Sequence, residues 1–170
     1  STSKQGTVEQ RDVRAPWVEQ ALGFVSLDRL QPFHMAIDAG NGMAGIIVDA
    51  LEQATPFKIA KMFVDLDGTF PNHPANPTLP EGLKDIIEVV QTKHLDLGVA
   101  FDGDGDRAVL IDDKARPVNP GILGAMLIEH SLGEHPGAAV VYDARASHIM
   151  RDTITKLGGK GVRSKVGHSN

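Results

Sequence analysis

Short apolar runs alternate along this chain with longer segments whose apolar residues recur every three or four positions. The runs have the length of buried strands, and the longer segments have the period of amphipathic helices. Strands are predicted at 34–38, 58–64, 96–101, 107–112, 138–143 and from 161, and helices at 16–30, 43–51, 81–90, 121–131 and 146–157. This alternation predicts an α/β fold of layered modules, in which helices flank a mixed sheet.

Composition sets limits on the class of protein. The chain has 170 residues, of which 41% are hydrophobic and 23% charged, as in globular proteins. A net charge of −5 without a basic stripe argues against nucleic acid, and the lack of cysteine excludes disulfides and thiolate metal sites. No apolar run approaches the roughly 20 residues that span a bilayer, so a membrane partner is not expected. No signal-peptide pattern is visible, which favours a cytoplasmic location.

An internal similarity indicates two modules. HMAIDAGNG and AVVYDARAS both read as a strand, Asp-Ala, a loop and a helix, and Asp38 and Asp143 stand 105 positions apart (143 − 38). We predict a polar linker at 1–15, one α/β module at 16–115, and the beginning of a second at 116–170. The last strand has no helix after it, whereas such modules bury both faces of their sheet. We therefore expect a fragment of a longer protein.

The first acidic cluster is Asp65-Leu66-Asp67-Gly68-Thr69, which matches the D-x-D-G-T signature of dehalogenase-type phosphotransferases. Prolines follow at once and prevent the helix that such a nucleophile requires. Asp and Gly favour turns, so a turn is the preferred interpretation. An aspartyl phosphotransferase that uses Asp65 and Asp67 stays open as an alternative function.

The second acidic cluster follows an apolar strand and alternates Asp102, Asp104 and Asp106 with Gly103 and Gly105. Glycine lets the loop curl tightly, so the three carboxylates can converge. Without a cation they would repel one another and their pKa values would rise. Three carboxylates and remaining positions for water or phosphate suit Mg²⁺.

Arg107 follows this cluster directly and offers a fork of donors that matches phosphate. A metal and an arginine at one strand end together outline a phosphate site. Three other interpretations stay open: a calcium hand, a solvated acidic turn and a non-catalytic metal-binding module. The calcium hand is disfavoured because Arg107 replaces the glycine at its sixth position and Asp113 the glutamate at its twelfth.

The segment FDGDGDR (101–107) resembles the metal-binding loop of the α-D-phosphohexomutases, the bacterial phosphomannomutase/phosphoglucomutase enzymes. Four more segments resemble that family in the family order, and the likeness covers almost everything from residue 34 onward. They are IDAGNGMAG (37–45), DGTFPNHPANPTLPE (67–81), VVYDARAS (140–147) and SKVGHS (164–169). The resemblance implies a phosphohexomutase-like fold, with this chain covering the second domain and the start of the third.

In this family, an enzyme phosphoserine gives its phosphoryl group to a hexose phosphate, and the bisphosphorylated sugar returns the other phosphate. The resemblance implies that this chain supplies the Mg²⁺-binding loop and lacks the phosphoserine, since no S-H-N-P string occurs. The expected partners are the hexose phosphate and the missing domains of the same enzyme, and the isolated chain should be inactive. Exposed strands of an incomplete module also predict dimers.

Residue roles carry over from the resemblance where the motif matches. Asp102, Asp104 and Asp106 would hold Mg²⁺ together with a phosphoserine oxygen, and Arg107, the expected catalytic residue, would lie beside that phosphate. Arg145 stands where relatives often have a lysine, and we expect it to bind phosphate or substrate because arginine stays protonated.

The remaining expectations concern two histidines and the loop after the first strand. His168 in VGHS matches a substrate-contacting position of the family. Residues 38–42 are expected to be structural, and His73 is expected to lie in a surface loop. The FPNHP segment at 70–74 and the VGHS segment both favour a mannose or glucose phosphate mutase over a phosphoglucosamine mutase.

Overall fold

The computed structural model describes residues 6–167, which divide into two compact units between Arg116 and Pro117. The first unit contains seven regular elements and two single turns of 3₁₀ helix, at Leu27–Arg29 and Pro80–Gly82. The elements are α1 (Arg14–Leu22), β1 (His34–Asp38), α2 (Gly45–Ala54), β2 (Lys58–Met62), α3 (Lys84–Lys93), β3 (Leu97–Phe101) and β4 (Ala108–Ile111).

The four strands form one mixed sheet in the order β2-β1-β3-β4. The strands β2, β1 and β3 run parallel, and β4 is antiparallel to β3. The predicted α/β fold with a mixed sheet flanked by helices is confirmed. Asp38 at the end of β1 lies opposite Met62 of β2 and Ala100 of β3. The loops that follow these three strands therefore start from the same edge of the sheet.

The core of this unit lies on both faces of the sheet, because successive side chains of a strand point to opposite faces. Met35 and Ile37 of β1 pack with Val48 of α2 on one face. Ala36 packs with Ile86 of α3 on the other face. Each large aliphatic side chain buried in this way stabilises the fold by roughly 1.5–3 kcal/mol.

The second unit contains α4 (Pro120–Glu134), β5 (Ala139–Asp143), α5 (His148–Lys156) and β6 (Lys160–Ser164). The two strands are parallel, and both helices contribute to the core beside them through Ile128, Leu132 and Ile154. Val141 and Val162 of the strand pair are exposed. This pair of strands therefore presents apolar side chains to solvent.

Several element boundaries differ from the predictions. The first helix begins at Arg14, inside the predicted linker 1–15, and ends at Leu22 before Gly23, a poor helix former, instead of continuing to residue 30. Thr78 and Glu81 have the sequence spacing of a capping box, which predicts that a helix starts there, and this prediction is wrong. The Thr78 N–H and hydroxyl both donate to Asn76 Oδ1, and α3 begins only at Lys84.

Within residues 6–167, none of the helices is long and apolar enough to cross a bilayer. The cytoplasmic location stays a prediction.

Candidate metal centre

The loop 102–107 is the connection of a hairpin, since Phe101 of β3 pairs with Ala108 of β4. The Asp102 N–H donates to Arg107 O at 3.2 Å, and the Gly105 N–H donates to Asp102 O at 3.1 Å. Gly105 has a φ of 78°, a left-handed conformation that glycine adopts without strain. These bonds hold the loop in a tight curl at the carboxyl edge of the sheet.

The curl brings the three predicted ligands together. One carboxylate oxygen from each of Asp102, Asp104 and Asp106 lies within 4.8 Å of the other two. Asp102 is buried, whereas Asp104 and Asp106 are exposed. Three oxygen donors on an accessible loop fit a hard divalent cation such as Mg²⁺ or Mn²⁺, which also takes water or phosphate oxygens.

Arg107 binds the buried member of this triad. Its backbone N–H donates to Asp102 Oδ1 at 3.0 Å, and its Nε donates to Oδ2 at 2.5 Å. Burial of Asp102 opposes ionisation, but these hydrogen bonds and the arginine charge outweigh it and lower the pKa of that carboxyl. The Asp102 side chain is 0% exposed and that of Arg107 56% exposed. Asp102 is therefore held as an anion, and the Arg107 side chain is accessible from solvent.

The Arg107 guanidinium is only partly occupied. Its Nε lies 3.6 Å from Asp106 Oδ1, and among residues 6–167 its terminal Nη groups make no hydrogen bond. Both Nη groups, with four N–H donors between them, are therefore available to a ligand.

Two neighbouring segments hold the middle of the acidic loop through Gly103. The Gly103 N–H donates to Ala75 O at 3.1 Å, and Gly103 O accepts the Met43 N–H at 2.9 Å. The segment that contains Gly42 and Met43 can lie this close to Gly103 only because residue 42 is glycine. A Cβ on Gly42 would lie 2.6 Å from Gly103 O. Both backbone polar groups of Gly103 are thus fixed from outside the loop.

A buried acid–histidine pair joins these two segments. His73 Nε2 lies 3.0 Å from Asp38 Oδ2, and His73 Nδ1 lies 2.9 Å from Pro74 O. The side chains are 7% and 1% exposed, so the expected surface position of His73 is wrong. The pair was missed because the two residues are 35 positions apart. No sequence signal links them, because the adjacency of β1, which ends at Asp38, and β2, which precedes the segment of His73, is set by tertiary packing.

The first acidic cluster forms a local turn, as predicted. Asp67 Oδ1 accepts the Thr69 N–H at 2.9 Å and the Thr69 hydroxyl at 2.7 Å, and the Phe70 N–H donates to Asp67 O at 3.0 Å. The residues are exposed, and the described chain has no helix between Asp65 and the single turn at Pro80. The hydrogen bonds from Thr69 lower the pKa of Asp67, so its role there is to close a turn.

A cavity of about 240 Å³ adjoins the metal-site loop within the first unit. Asp104 and Gly105 form part of its wall, and Trp17 of α1 and Met43 line it as well. One side of the acidic loop therefore borders a small cavity.

The remaining predicted site residues are Arg145 and His168. The Arg145 N–H donates to Asp143 Oδ1 at 2.7 Å, and its guanidinium lies 3.6 Å from Asp143 Oδ2. The Arg145 side chain is exposed and available to an anion. A polar cavity of about 200 Å³ in this unit is lined by Ser147 and Arg163, among others. His168 lies outside the described residues.

Residues 15–115 match a family described as phosphoglucomutase/phosphomannomutase, alpha/beta/alpha domain II. The chain is 36% identical over 170 residues to a phosphomannomutase of Salmonella typhimurium, covering 97% of this chain and 37% of that protein. It is 33% identical over 169 residues to a phosphoglucomutase of Neisseria meningitidis, covering 99% of this chain and 36% of that protein.

A solved structure agrees with these matches. A crystal structure of a phosphoglucomutase/phosphomannomutase family protein from Burkholderia thailandensis superposes with a TM-score of 0.82 at 34% identity, covering 95% of this chain and 35% of that one. The chain belongs to the phosphoglucomutase/phosphomannomutase family, and the resemblance seen in the sequence is confirmed. It spans 36–37% of the length of the curated relatives named above.

Proposed function

We propose that this chain supplies the metal-holding part of a phosphohexomutase, which interconverts hexose 1-phosphate and hexose 6-phosphate of mannose or glucose. The observation that carries this proposal is the convergence of the Asp102, Asp104 and Asp106 carboxylates within 4.8 Å, in a chain of this family. The names of the relatives, phosphomannomutase and phosphoglucomutase, support the two sugars.

In the proposed reaction, Asp102, Asp104 and Asp106 hold Mg²⁺. When bound, the ion stabilises charge on the phosphoryl group that is transferred. Arg107 keeps Asp102 ionised, and its free Nη donors would bind a phosphate oxygen. An enzyme phosphoserine, which these 170 residues do not supply, donates the phosphoryl group to the sugar phosphate and recovers one from the bisphosphorylated intermediate.

Arg145 and His168 are proposed as contacts to the substrate phosphate or sugar. The exposed guanidinium of Arg145 supports an anion contact, because only Asp143 pairs with it among the described residues. Replacement of Arg145 by lysine in the active enzyme should raise KM more than it lowers kcat, since a bidentate phosphate contact is lost while a charge is kept.

The test of the function compares the protein as its gene encodes it with the 170-residue chain. We expect the encoded protein to convert mannose 1-phosphate or glucose 1-phosphate to the 6-phosphate, and Asp104→Asn to slow that conversion strongly. The 170-residue chain alone should be inactive. Full activity of Asp104→Asn, or turnover by the 170-residue chain, would contradict the proposal.

The alternative of an aspartyl phosphotransferase predicts a different pattern. In that case Asp65→Asn would abolish phosphatase activity, because Asp65 would be the nucleophile. We expect Asp65→Asn to leave mutase activity unchanged, since Asp65 is exposed in the loop after β2.

The exposed strand pair of the second unit supports a further part of the proposal, namely dimers of the 170-residue chain. Among the described residues β5 and β6 form a two-stranded sheet, so each strand has an edge that can pair with another chain. The exposed Val141 and Val162 add apolar surface on the face of this sheet. Sedimentation at increasing concentration should show a monomer–dimer equilibrium, and Val141→Lys should shift it toward monomer. A single monomeric species at all concentrations would contradict the proposed dimer.

A further inference from the structure

The buried pair Asp38–His73 joins two segments that have no sequence relation to the acidic loop. We propose that this pair is a positioning device for the metal centre, which fixes the peptide group of Gly103 and with it the carboxylates on either side. The inference rests on the proposed function, since it assumes that the Asp102–Asp106 loop binds a divalent cation.

The first arm of the device starts at Asp38. Its Oδ1 accepts the Gly40 N–H at 2.8 Å, which turns the chain sharply after β1. This turn leads to Gly42, whose missing side chain admits Gly103 O, and to Met43, whose N–H binds that oxygen at 2.9 Å. The carbonyl of Gly103 is therefore held by the segment that Asp38 anchors.

The second arm starts at His73. The ring packs edge-on against Phe63, with centroids 5.2 Å apart, and its Nδ1 contacts Pro74 O at 2.9 Å. The next residue, Ala75, accepts the Gly103 N–H at 3.1 Å. The amide side of Gly103 is therefore held by the segment that His73 anchors, and the Asp38–His73 contact joins the two arms.

The hydrogen-bond chemistry of the pair requires one proton between its members. Pro74 O can only accept, so Nδ1 carries a hydrogen, and Nε2 has one only when the ring is an imidazolium. The 3.0 Å contact of Nε2 with Asp38 Oδ2 then needs either the imidazolium or a protonated carboxyl. Loss of that proton would place two acceptors face to face in a buried site, which costs the hydrogen bond.

Two carboxylates act on the ring, Asp38 at the end of β1 and Asp85 in α3. Burial opposes the charged ring, but the bond to Pro74 O and the Asp38 charge outweigh it and raise the pKa of His73. Burial also raises the pKa of Asp38. Both shifts retain the proton in the folded chain, so its contribution is complete below the ordinary histidine pKa of about 6.5 and is lost as pH rises through the raised value.

The experiment measures Mn²⁺ affinity by electron paramagnetic resonance of free Mn²⁺ in the 170-residue chain. His73→Ala removes both contacts of the ring and should weaken Mn²⁺ binding about tenfold, the usual effect of losing a group that orients a ligand. His73→Gln places an amide donor near the Nε2 position and should restore most of the affinity. The exposed His130→Gln is the matched control and should bind like wild type.

The pH dependence separates positioning from a general loss of stability. Wild-type affinity should fall as pH rises past the ordinary histidine pKa of about 6.5 and through the raised pKa of His73, because the shared proton is lost there. His73→Gln should show no such fall, since its amide hydrogen does not titrate. A folded His73→Ala that binds Mn²⁺ as wild type does, or the same high-pH fall in His73→Gln, would overturn the inference.

A metal-free measurement keeps this inference distinct from the proposed function. The amide chemical shift of Gly103 should titrate with the midpoint of the His73 ring in wild type and stay constant in His73→Gln. If wild type binds no Mn²⁺, the proposed metal site is wrong. The Gly103 titration would still support the coupling between the Asp38–His73 pair and the Gly103 peptide. A Gly103 amide shift that does not change as His73 titrates would overturn the positioning role. This measurement needs only wild type and His73→Gln, so it can be made even if His73→Ala does not fold.

Discussion

Two aspartate-rich loops follow parallel strands at the same edge of the first sheet, and their surroundings differ sharply. Asp67 lies in an exposed turn, and among the described residues its carboxylate binds only Thr69, two positions away. Asp102 is fully buried, binds Arg107 and lies beside two further carboxylates. The two loops are similar in composition, but only the second has three carboxylates within 4.8 Å of one another.

Other segments bond to the backbone of both loops, and the two loops differ in how closely their glycines are packed. A Cβ on Gly68 in the first loop would meet no atom within 4 Å, so the chain there is open on that side. Gly103 in the second loop has both backbone polar groups bound by other segments. In the first loop, Asn41 Nδ2 donates to Asp65 O and the Asp67 N–H donates to Asn41 O, so a backbone bound from outside does not by itself make a ligand site. In the second loop, the alternating glycines permit a tight curl, and Arg107 compensates the charge of the buried Asp102, so three carboxylates can lie close together.

The largest effect should come from Asp102→Asn compared with Asp67→Asn. Asp102→Asn removes the buried anionic ligand without changing its shape, so Mn²⁺ affinity should fall about 100-fold, the upper end even for groups that only orient ligands. Asp67→Asn should change it less than about twofold, as expected for a surface position away from the site. Calorimetric titration of Mn²⁺ into both variants measures the difference. Equal losses would mean that overall negative charge, not the triad, attracts the ion.

A smaller loss is expected from Asp104→Asn. Asp104 is exposed, so water can take the place of its oxygen, and Mn²⁺ affinity should fall about tenfold. The fold should be kept, because the change relieves repulsion within the triad. Paramagnetic broadening of the loop amides by Mn²⁺ gives the affinity, and thermal unfolding gives the stability. Wild-type affinity in Asp104→Asn would remove the metal from this loop.

The contrast between the loops was only partly readable from the sequence. The alternation of Asp and Gly at 102–106 predicted convergence, because glycine permits the curl that Gly105 adopts at φ 78°. The turn at 65–69 was predicted from the prolines that follow it. The order of strands in the sheet, by contrast, depends on tertiary packing, and that order brings Asp38 and His73 together.

The predicted helix starts and ends were less accurate for a related reason. Thr78 and Glu81 have the spacing of a capping box, but the Thr78 N–H and hydroxyl donate to Asn76 Oδ1 instead. A spacing rule states which hydrogen bonds are possible and does not state which acceptor competes successfully. His73 was assigned to the surface because a proline-rich segment is usually a surface loop, while here that loop packs onto the sheet edge.

Glycine substitutions sharpen the comparison of the two loops at the level of stability. Gly105→Ala places a side chain at φ 78° and should lower the free energy of unfolding by roughly 1–2 kcal/mol. Gly68→Ala meets open space and should change it by less than about 0.5 kcal/mol. Urea unfolding of both variants followed by circular dichroism gives the values. A larger loss for Gly68→Ala would mean that the first loop is the more constrained of the two.

The smallest effect concerns acid unfolding. The pKa of Asp102 and that of Asp67 are both lowered, so each carboxylate contributes stability that is complete above its unfolded pKa of roughly 4 and is lost as pH falls through the lower folded value. Asp102 is buried, whereas the exposed Asp67 is screened by solvent, so the loss on acidification should come mainly from Asp102. Urea unfolding between about pH 4 and 2 should therefore show a shallower pH dependence for Asp102→Asn than for wild type, and nearly the wild-type slope for Asp67→Asn. A flatter slope for Asp67→Asn would show that the turn, not the metal loop, carries the charge-dependent stability of this sheet edge.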